Sequence, residues 1–577
     1  MGNDTPEGTA EDPRTLPEAL AAAARRYPER GIAIFDGRGR NVERRGYAEL
    51  HAGAGRVAAR LAARGVAAGE PVLIALPTSW DWMLAWFGTL LRGALPVATA
   101  GAGAMAAAGV QLDKLATVRS NLGARLVLAS SGFRDEAVAQ VDNLRAEDVV
   151  TIDELIAEAT PAVAPPRLDG DADQTAFLQL TSGSTGVPRA VMISHRAALH
   201  NPLASAEAIG APLGGPIHTI ADAMVSWLPL YHDMGLIGCL VLPLLTGLDT
   251  WLFRPQTFLA RPRLWLDHLG RHGATFVPAP NFGYQLCVER ISEENAEGLD
   301  LSSWCAALTG AEMVRSETTA AFCDRFGPHG FDPRAFRPCY GLAEATLAVT
   351  FDIEGRGVRT LPAPSGADAG FRLAEVVSTG RPIRDTAVRI VAPDRTRLAE
   401  DAIGEVEISG PGILQGYYND PEATAATLSD GWFATGDLGF LHDGELYLTG
   451  RTKDVLIVHG HNLMPEDLER IADGVTGGGG LARSAAFSVA RGPGGEEAVL
   501  VVEIDPKRPE SRGEMAREIR VRVGRTVGLP LADVAFVRRG RIPRTTSGKM
   551  RRGEVRTMYL EGTLERLDDQ LNRDGAL

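Results

Sequence analysis

The apolar positions along this chain switch repeatedly between two periods. Residues 16–26 are Ala-rich with an amphipathic helical pattern, and 47–64 repeats small and apolar residues at helical spacing. Continuous apolar runs at 71–76 (Pro-Val-Leu-Ile-Ala-Leu) and 125–129 (Arg-Leu-Val-Leu-Ala) read as buried strands, with an apolar helix at 80–91 between them. This strand–helix–strand rhythm predicts an α/β architecture built on a doubly wound parallel sheet. The uncharged, Ala- and Gly-rich stretch 93–110 reads as a strand followed by a loop. Residues 160–173, rich in Pro, Ala and Asp, read as a linker into a strand at 175–180, and 355–370 reads as a second low-order segment. Beyond it, alternating runs at 387–391 and 404–409 predict a smaller β-rich unit. A third unit begins near residue 450, with a strand at 498–504 and a helix at 512–527. No solenoid-type repeat is present.

A length of 577 residues suggests three or four structural units. Hydrophobic residues make up 45% and charged residues 23%, which excludes a disordered chain. The formal net charge of −14 argues against nonspecific binding to nucleic acid or an anionic membrane. Cys239, Cys287, Cys305, Cys323 and Cys339 form no C-x-x-C and no metal-ligand spacing, which argues against a disulfide framework or a zinc site and favours a reducing, cytoplasmic compartment. The start, MGNDTPEGTAEDPRT, lacks the basic and apolar regions of a signal peptide, and the longest apolar run, 235–248, is too short for an integral membrane segment. A multi-unit enzyme is the expectation.

Five segments carry candidate chemistry. Thr181-Ser-Gly-Ser-Thr-Gly-Val-Pro-Arg189 follows an apolar strand; its glycines permit a tight turn, and its hydroxyls and N–H groups could hold phosphate oxygens. It does not fit the Walker pattern, and a polar strand-end loop reads equally well. In Tyr340-Gly-Leu-Ala-Glu-Ala-Thr346, Glu344 could hold magnesium or be a surface carboxylate. In Gly431-Trp-Phe-Ala-Thr-Gly-Asp-Leu-Gly439, Asp437 could accept both hydroxyls of a ribose or close an Asx turn. Gly450-Arg-Thr-Lys-Asp-Val-Leu-Ile-Val-His-Gly460 leads into Pro465-Glu-Asp-Leu-Glu469, and alone reads as a polar turn before a buried strand. Ile542-Pro-Arg-Thr-Thr-Ser-Gly-Lys549 ends in a lysine within a basic stretch, and alone reads as a solvated charge run.

Together and in this order, the five segments resemble the adenylate-forming superfamily of acyl-CoA synthetases, peptide-synthetase adenylation domains and firefly luciferase, over about residues 16–556. Within it, 226–238 (Ser-Trp-Leu-Pro-Leu-Tyr-His-Asp-Met-Gly-Leu-Ile-Gly), 279–284, 301–304, 310–312 and 338–346 are similar to fatty acyl-AMP ligases. Such ligases activate a fatty acid as its adenylate and usually pass it to an acyl carrier protein rather than to CoA. The implied fold is a large N-terminal region of doubly wound α/β subdomains plus a small β-rich subdomain (1–449), a hinge (450–454, with Lys453 and Asp454), and a small mobile α+β C-terminal domain (455–577). The implied cofactors are ATP and Mg2+. The implied partners are a carboxylic acid and an acyl carrier protein in trans, or CoA.

The resemblance also implies roles. Thr181, Ser182, Gly183, Ser184, Thr185 and Gly186, with Arg189, would cradle the pyrophosphate portion of ATP. Glu344, with the Thr181 hydroxyl, would hold magnesium. Gly310, Ala311, Glu312, Tyr340 and Gly341 would surround the adenine, and Asp437 and Arg451 would fix the ribose. Lys549 would reach the phosphate and acyl oxygens as a mobile point charge. His232 would lie between the acyl pocket and the ATP site, with Trp227, Asp233, Gly235, Phe282 and Tyr284 near the acyl group.

Three departures keep alternatives open. The phosphate loop ends Pro188-Arg189-Ala190 where the family usually has Pro-Lys-Gly, and Arg keeps the charge with a different geometry. The segment 347–379, where these ligases carry the insertion thought to disfavour CoA, is short, which leaves an acyl-CoA synthetase open. Asp233 matches the position that binds the substrate ammonium in amino-acid-activating enzymes, so a stand-alone amino-acid adenylation enzyme is also open. An inactive nucleotide-binding scaffold is opposed by the joint presence of Glu344, Asp437, Arg451 and Lys549. No carrier motif follows Lys549, so a free-standing loading enzyme is expected.

Overall fold

Seven strands form the largest sheet, in the order Gly416–Tyr417, Ala190–Ser194, Thr175–Leu180, Leu95–Ala98, Pro71–Ala75, Leu126–Ala129, Val149–Val150. The computed structural model describes residues 12–36, 38–101, 108–141, 144–157, 170–181, 188–210, 213, 223–364, 375–458, 461–476, 483–490, 496–506, 512–527, 530–544 and 550–567. Five strands of this sheet, from Thr175–Leu180 to Val149–Val150, are parallel, as the alternating pattern predicts. Ala190–Ser194 runs antiparallel to Thr175–Leu180, so the sheet is mixed rather than wholly parallel. The physical reason is the short connection at 181–189, which can close a hairpin but cannot make the long crossover that parallel neighbours need.

Helices cover this sheet. Trp80–Leu91 is apolar almost all round and buried, with Trp82 and Trp86 stacked. It packs on Tyr47–Ala63 through reciprocal glycines: a Cβ at Gly88 would lie 2.5 Å from Val57 Cγ1, and one at Gly53 2.5 Å from Leu84 Cδ2. Glycine at both positions lets the two backbones approach closely.

A second sheet of five strands runs Phe276–Ala279, Ala306–Thr309, Phe336–Gly341, Ala348–Phe351, Arg381–Pro382, over an aromatic core that includes Trp265, Tyr284, Trp304 and Phe322. A four-stranded sheet joins Asn41–Gly46, Gly31–Phe35, Asp249–Leu252 and Ala223–Ser226. The predicted β-rich unit is an antiparallel sheet containing Ala387–Val391, Gly404–Ser409, Trp432–His442 and Glu445–Arg451. C-terminal to it, Ser484–Ala490, Glu496–Ile504 and Leu531–Arg538 pack with the helices Pro465–Thr476 and Arg512–Val527 around a separate core that includes Leu468, Leu500 and Ile519.

One further stretch differs from the sequence expectation. Residues 93–110 give the strand Leu95–Ala98, but residues 108–110 open the helix Ala108–Leu122 instead of continuing a loop, and 102–107 lie outside the described residues. The run 235–248 forms a buried π-helix, Met234–Val241, that continues into Leu242–Thr246. Most of the 160–173 linker and part of 355–370 lie outside the described residues. Among the described residues no helix is long and apolar enough to cross a membrane.

The C-terminal helix Pro465–Thr476 carries a titration with a measurable consequence. Asp467 faces Arg470 at 3.6 Å, yet burial pushes its carboxyl up to about 7 from 3.8. Its folded pKa is raised, so its contribution to stability is fully present below pH 3.8 and lost as pH rises through about 7. Asp467→Asn cannot ionise. Relative to wild type it is expected to gain stability from pH 4 to pH 8, by up to about 4 kcal/mol. Thermal unfolding at the two pH values checks this, and an equal effect at both would count against it.

Candidate active site

The strand order brings the C-terminal ends of Leu95–Ala98 and Thr175–Leu180 side by side, where open α/β sheets leave a crevice. A cavity of about 1200 Å³ opens there. Thr99, Thr181 and Arg189 line it from this sheet, Tyr340 and Glu344 from the second, and Asp437 and Arg451 from the β-rich sheet. Arg544, Met550, Arg551 and Arg552 complete its wall from the C-terminal unit. Ser182–Gly186 and Lys549 lie outside the described residues.

The hairpin mouth is closed by two hydrogen bonds. Thr181 N–H donates to the Arg189 carbonyl at 2.9 Å, and Arg189 N–H donates to Thr181 Oγ1 at 3.3 Å. The Arg189 guanidinium leans over the Tyr417 ring, 5.3 Å from its centroid, with Nε 3.6 Å from Asp420. Tyr417 in turn donates its hydroxyl to Glu344 Oε1 at 3.0 Å. Glu344 sits on a single 3-10 turn, Ala343–Ala345, and burial raises its carboxyl above 4.5, so a cation at this place would be strongly favoured. The next residue but one, Thr346, holds φ 67, a strained value for a β-branched residue. Its hydroxyl is fixed on the Gly412 carbonyl at 2.8 Å.

Asp437 and Arg451 are opposite each other in the antiparallel pair Trp432–His442 and Glu445–Arg451, which brings their side chains together. Arg451 Nε lies 2.8 Å from Asp437 Oδ1, and the buried Tyr340 hydroxyl donates to Asp437 Oδ2 at 2.5 Å. Burial, and then the Asp437 charge, holds the Tyr340 phenol far above its ordinary value, so it remains a donor. Nearby, Ala311 has φ 66, and Glu312 Oε1 accepts the Phe282 N–H at 2.5 Å. Gly310 and Gly341 are places of close approach. A Cβ at Gly310 would lie 2.7 Å from the Cys339 carbonyl oxygen, and one at Gly341 1.8 Å from that of Leu347.

The same cavity is also lined by apolar residues, among them Ile209, Gly238, Leu242, Phe276, Leu308 and Phe351. His232 and Asp233 stand on its wall, with His232 Nδ1 2.6 Å from Asp233 Oδ1, and the same oxygen accepts the Met234 N–H at 2.7 Å. Four expected pocket residues, Trp227, Gly235, Phe282 and Tyr284, do not line the cavity. Trp227 is buried and stacked on Phe258 with centroids 3.9 Å apart, and Tyr284 spends its hydroxyl on the Leu308 carbonyl in the core. Gly235 is required by packing, since a Cβ there would lie 2.2 Å from the Pro229 carbonyl oxygen. Aromatic residues beside the motif were drawn into the core because their large apolar area is worth most there.

Lys453 and Asp454 also face the cavity, at the 3-10 turn Thr452–Asp454. Arg552 Nη1 bonds Asp454 Oδ2 at 2.9 Å, its Nη2 lies 2.7 Å from Glu466, and its Nε bonds Glu469 at 2.7 Å. Among the wall residues that carry no motif signal in the sequence are Lys114 and Tyr417.

Residues 20–418 match the family model described as AMP-binding enzyme. A protein of Caulobacter vibrioides that bears the name acyl-CoA synthetase is 32% identical over 567 residues, 95% of this chain and 96% of the relative. The 4-hydroxyphenylalkanoate adenylyltransferase of Mycobacterium tuberculosis is 33% identical over 535 residues, 87% and 84% of the two chains. A solved structure from a study of fatty acyl-adenylate ligases of E. coli and L. pneumophila superposes with a TM-score of 0.85 at 31% identity, covering 97% of this chain and 99% of that one. With a matched region that spans most of its length, the chain belongs to the AMP-binding enzyme family and is an adenylate-forming ligase.

Proposed function

We propose that the protein activates an apolar, fatty-type carboxylic acid as its acyl-adenylate and then transfers the acyl group to the phosphopantetheine thiol of an acyl carrier protein. One observation carries this reading: a single cavity is lined both by the polar Tyr340, Glu344, Asp437 and Arg451 and by aliphatic and aromatic side chains such as Ile209, Leu242, Phe276 and Phe351. In the first half-reaction a carboxylate oxygen of the acid attacks the α-phosphorus of ATP, and the bond to pyrophosphate breaks. Two anions must meet, so positioning and charge neutralisation supply most of the rate. Asp437 and Arg451 hold the ribose, the 310–312 and 340–341 segments flank the adenine, the 181–189 loop cradles the pyrophosphate, and Lys549 neutralises charge on the reacting oxygens. In the second half-reaction the thiol sulfur attacks the acyl carbon and AMP leaves. A C-terminal domain of residues 455–577, turning about a 450–454 hinge on a body of residues 1–449, would clear Lys549 from the thiol's path.

Mg2+ fits the oxygen chemistry here. Glu344, held above its ordinary carboxyl value by burial, and the Thr181 hydroxyl would hold it. Among the described residues no group of three or more His, Cys, Asp or Glu could hold a metal. When bound, Mg2+ would draw charge from the phosphate oxygens.

Asp233 bears on the choice of acid. Its carboxylate already meets His232 and the Met234 N–H, so it has no need of a substrate ammonium, which favours a fatty over an amino acid. CoA as acceptor is the second reading, favoured by the name of the Caulobacter relative and the short 347–379 segment. The test measures pyrophosphate release across fatty, aromatic and amino acids, then offers CoA and a phosphopantetheinylated carrier in parallel. Release driven by fatty acids with thioester on the carrier is expected. Equal or faster thioester on CoA would defeat the carrier assignment, and release driven by amino acids alone would defeat the acid class.

A further inference from the structure

Tyr417 is a buried side chain that touches both the carboxylate of Glu344 and the cation that ends the glycine-rich loop. It lies in the short strand Gly416–Tyr417, which pairs antiparallel with Ala190–Ser194 at Met192 and Val191. Gln415 N–H donates to the Met192 carbonyl at 3.0 Å and Tyr418 N–H to that of Ala190 at 2.8 Å, so the strand is fixed next to the Arg189 end of the loop. Tyr417 N–H itself donates to Thr424 Oγ1 at 2.9 Å, on the helix Pro421–Thr427.

The same stretch of chain grips the Glu344 turn of the second sheet. The Thr346 hydroxyl donates to the Gly412 carbonyl at 2.8 Å, Leu414 N–H donates to the Glu344 carbonyl at 2.8 Å, and the Tyr417 hydroxyl donates to Glu344 Oε1 at 3.0 Å. Residues 412–418 thus tie the first sheet to the second. The backbone bonds of this tie set the scaffold, whereas the Tyr417 side chain meets two functional groups. A carboxylate has two oxygens and about four lone-pair sites, so a donor on Oε1 orients Glu344 without filling it. A glutamate side chain gives up much rotamer freedom when it takes a ligand, and a hydrogen bond that already holds it removes part of that loss. The Arg189 guanidinium lies 5.3 Å from the Tyr417 ring centroid, inside the roughly 6 Å reach of a cation–π contact. Asp420, which caps the following helix by accepting the Ala423 N–H at 3.0 Å, steadies Arg189 Nε at 3.6 Å.

We propose that Tyr417 is a positioning residue for nucleotide binding: its hydroxyl presets Glu344 for Mg2+, and its ring presets the Arg189 guanidinium for the phosphates. This rests on the adenylation and magnesium reading above. The two tasks use different atoms of one side chain, so substitution separates them.

The test uses the full chain with Tyr417→Phe, which removes the hydroxyl and keeps the ring, and Tyr417→Leu, which removes both. Glu344→Gln runs in parallel. α,β-Methylene ATP, which cannot release pyrophosphate, is titrated calorimetrically into each protein, once with EDTA and once with excess Mg2+. The readout is the factor by which Mg2+ strengthens binding. Tyr417→Phe should lower that factor by roughly 10-fold, the low end of what removing a metal ligand's hydrogen-bond partner costs, with EDTA affinity within about two-fold of wild type. Tyr417→Leu should lose as much of the Mg2+ factor and, in addition, bind roughly 2- to 5-fold more weakly in EDTA, because Arg189 loses the ring. A Mg2+ factor kept by Tyr417→Phe but lost by Glu344→Gln overturns the proposal and leaves the magnesium reading standing. Equal weakening in both titrations of Tyr417→Phe with a lowered Tm also overturns it, because that is the signature of a structural tyrosine. EDTA affinity no weaker in Tyr417→Leu than in Tyr417→Phe strikes the Arg189 half. A Mg2+ factor unchanged in Glu344→Gln brings down the magnesium reading, and the proposal with it.

Discussion

Lys549→Ala should lower acid-dependent pyrophosphate release by roughly 10²–10³-fold or more, with ATP affinity changed only a few-fold. The residues on either side of the 545–549 segment, Arg544 and Met550, line the cavity together with Asp437 and Glu344. An ammonium delivered at that wall meets the oxygens on which charge builds as the carboxylate joins the α-phosphorus. It contributes little to the ground state, where the ribose and adenine contacts dominate. The loss therefore belongs in kcat for adenylation rather than in nucleotide affinity. Single-turnover adenylate formation beside calorimetric ATP binding separates the two. An adenylation rate within two-fold of wild type would remove Lys549 from the mechanism.

Asp437→Ala is the second large effect, and it should appear in binding. Asp437 is 5% exposed and meets two protein partners, the Tyr340 hydroxyl at 2.5 Å and Arg451 Nε at 2.8 Å. Removing the carboxylate leaves a buried phenol without its acceptor, at a cost of about 1–3 kcal/mol in stability. It also takes away the oxygens assigned to the ribose hydroxyls. Two charge-assisted hydrogen bonds at about 1.5–3 kcal/mol each predict AMP and ATP affinities weaker by roughly 10²–10⁴-fold. Asp437→Asn, which keeps an acceptor in the same place, should retain more affinity and more stability. Calorimetry with AMP and thermal melts of both variants check this, and nucleotide affinity unaltered in the alanine variant would dissociate Asp437 from the ribose.

Legibility in the sequence was uneven, and the unevenness has physical causes. Strands such as Pro71–Ala75 announce themselves because both faces are buried, so every position must be apolar. The glycine-rich and acidic motifs stand out because their glycines, hydroxyls and carboxylates interrupt the apolar periodicity around them. The direction of Ala190–Ser194 was harder to read, since an apolar strand carries no mark of polarity. Only the length of the 181–189 connection decides it. The apolar part of the cavity wall was least legible. Trp227, Phe282 and Tyr284 sit beside motif residues in sequence, but core packing claims their rings, while the modest Ile209, Gly238 and Leu242 form the wall.

By itself the sequence determined the alternation of strands and helices, the family, and the identity of the side chains with chemistry to offer, because each depends on residue type and local order. Tertiary structure alone decided which of them share one space. Asp437 meets Arg451 through strand register, Tyr417 reaches Glu344 from 73 positions along the chain, and Thr99 and Thr181 line one cavity because two strand ends lie together. Such meetings depend on how sheets and helices pack at distances no local pattern records, and they turn a row of motifs into one cavity.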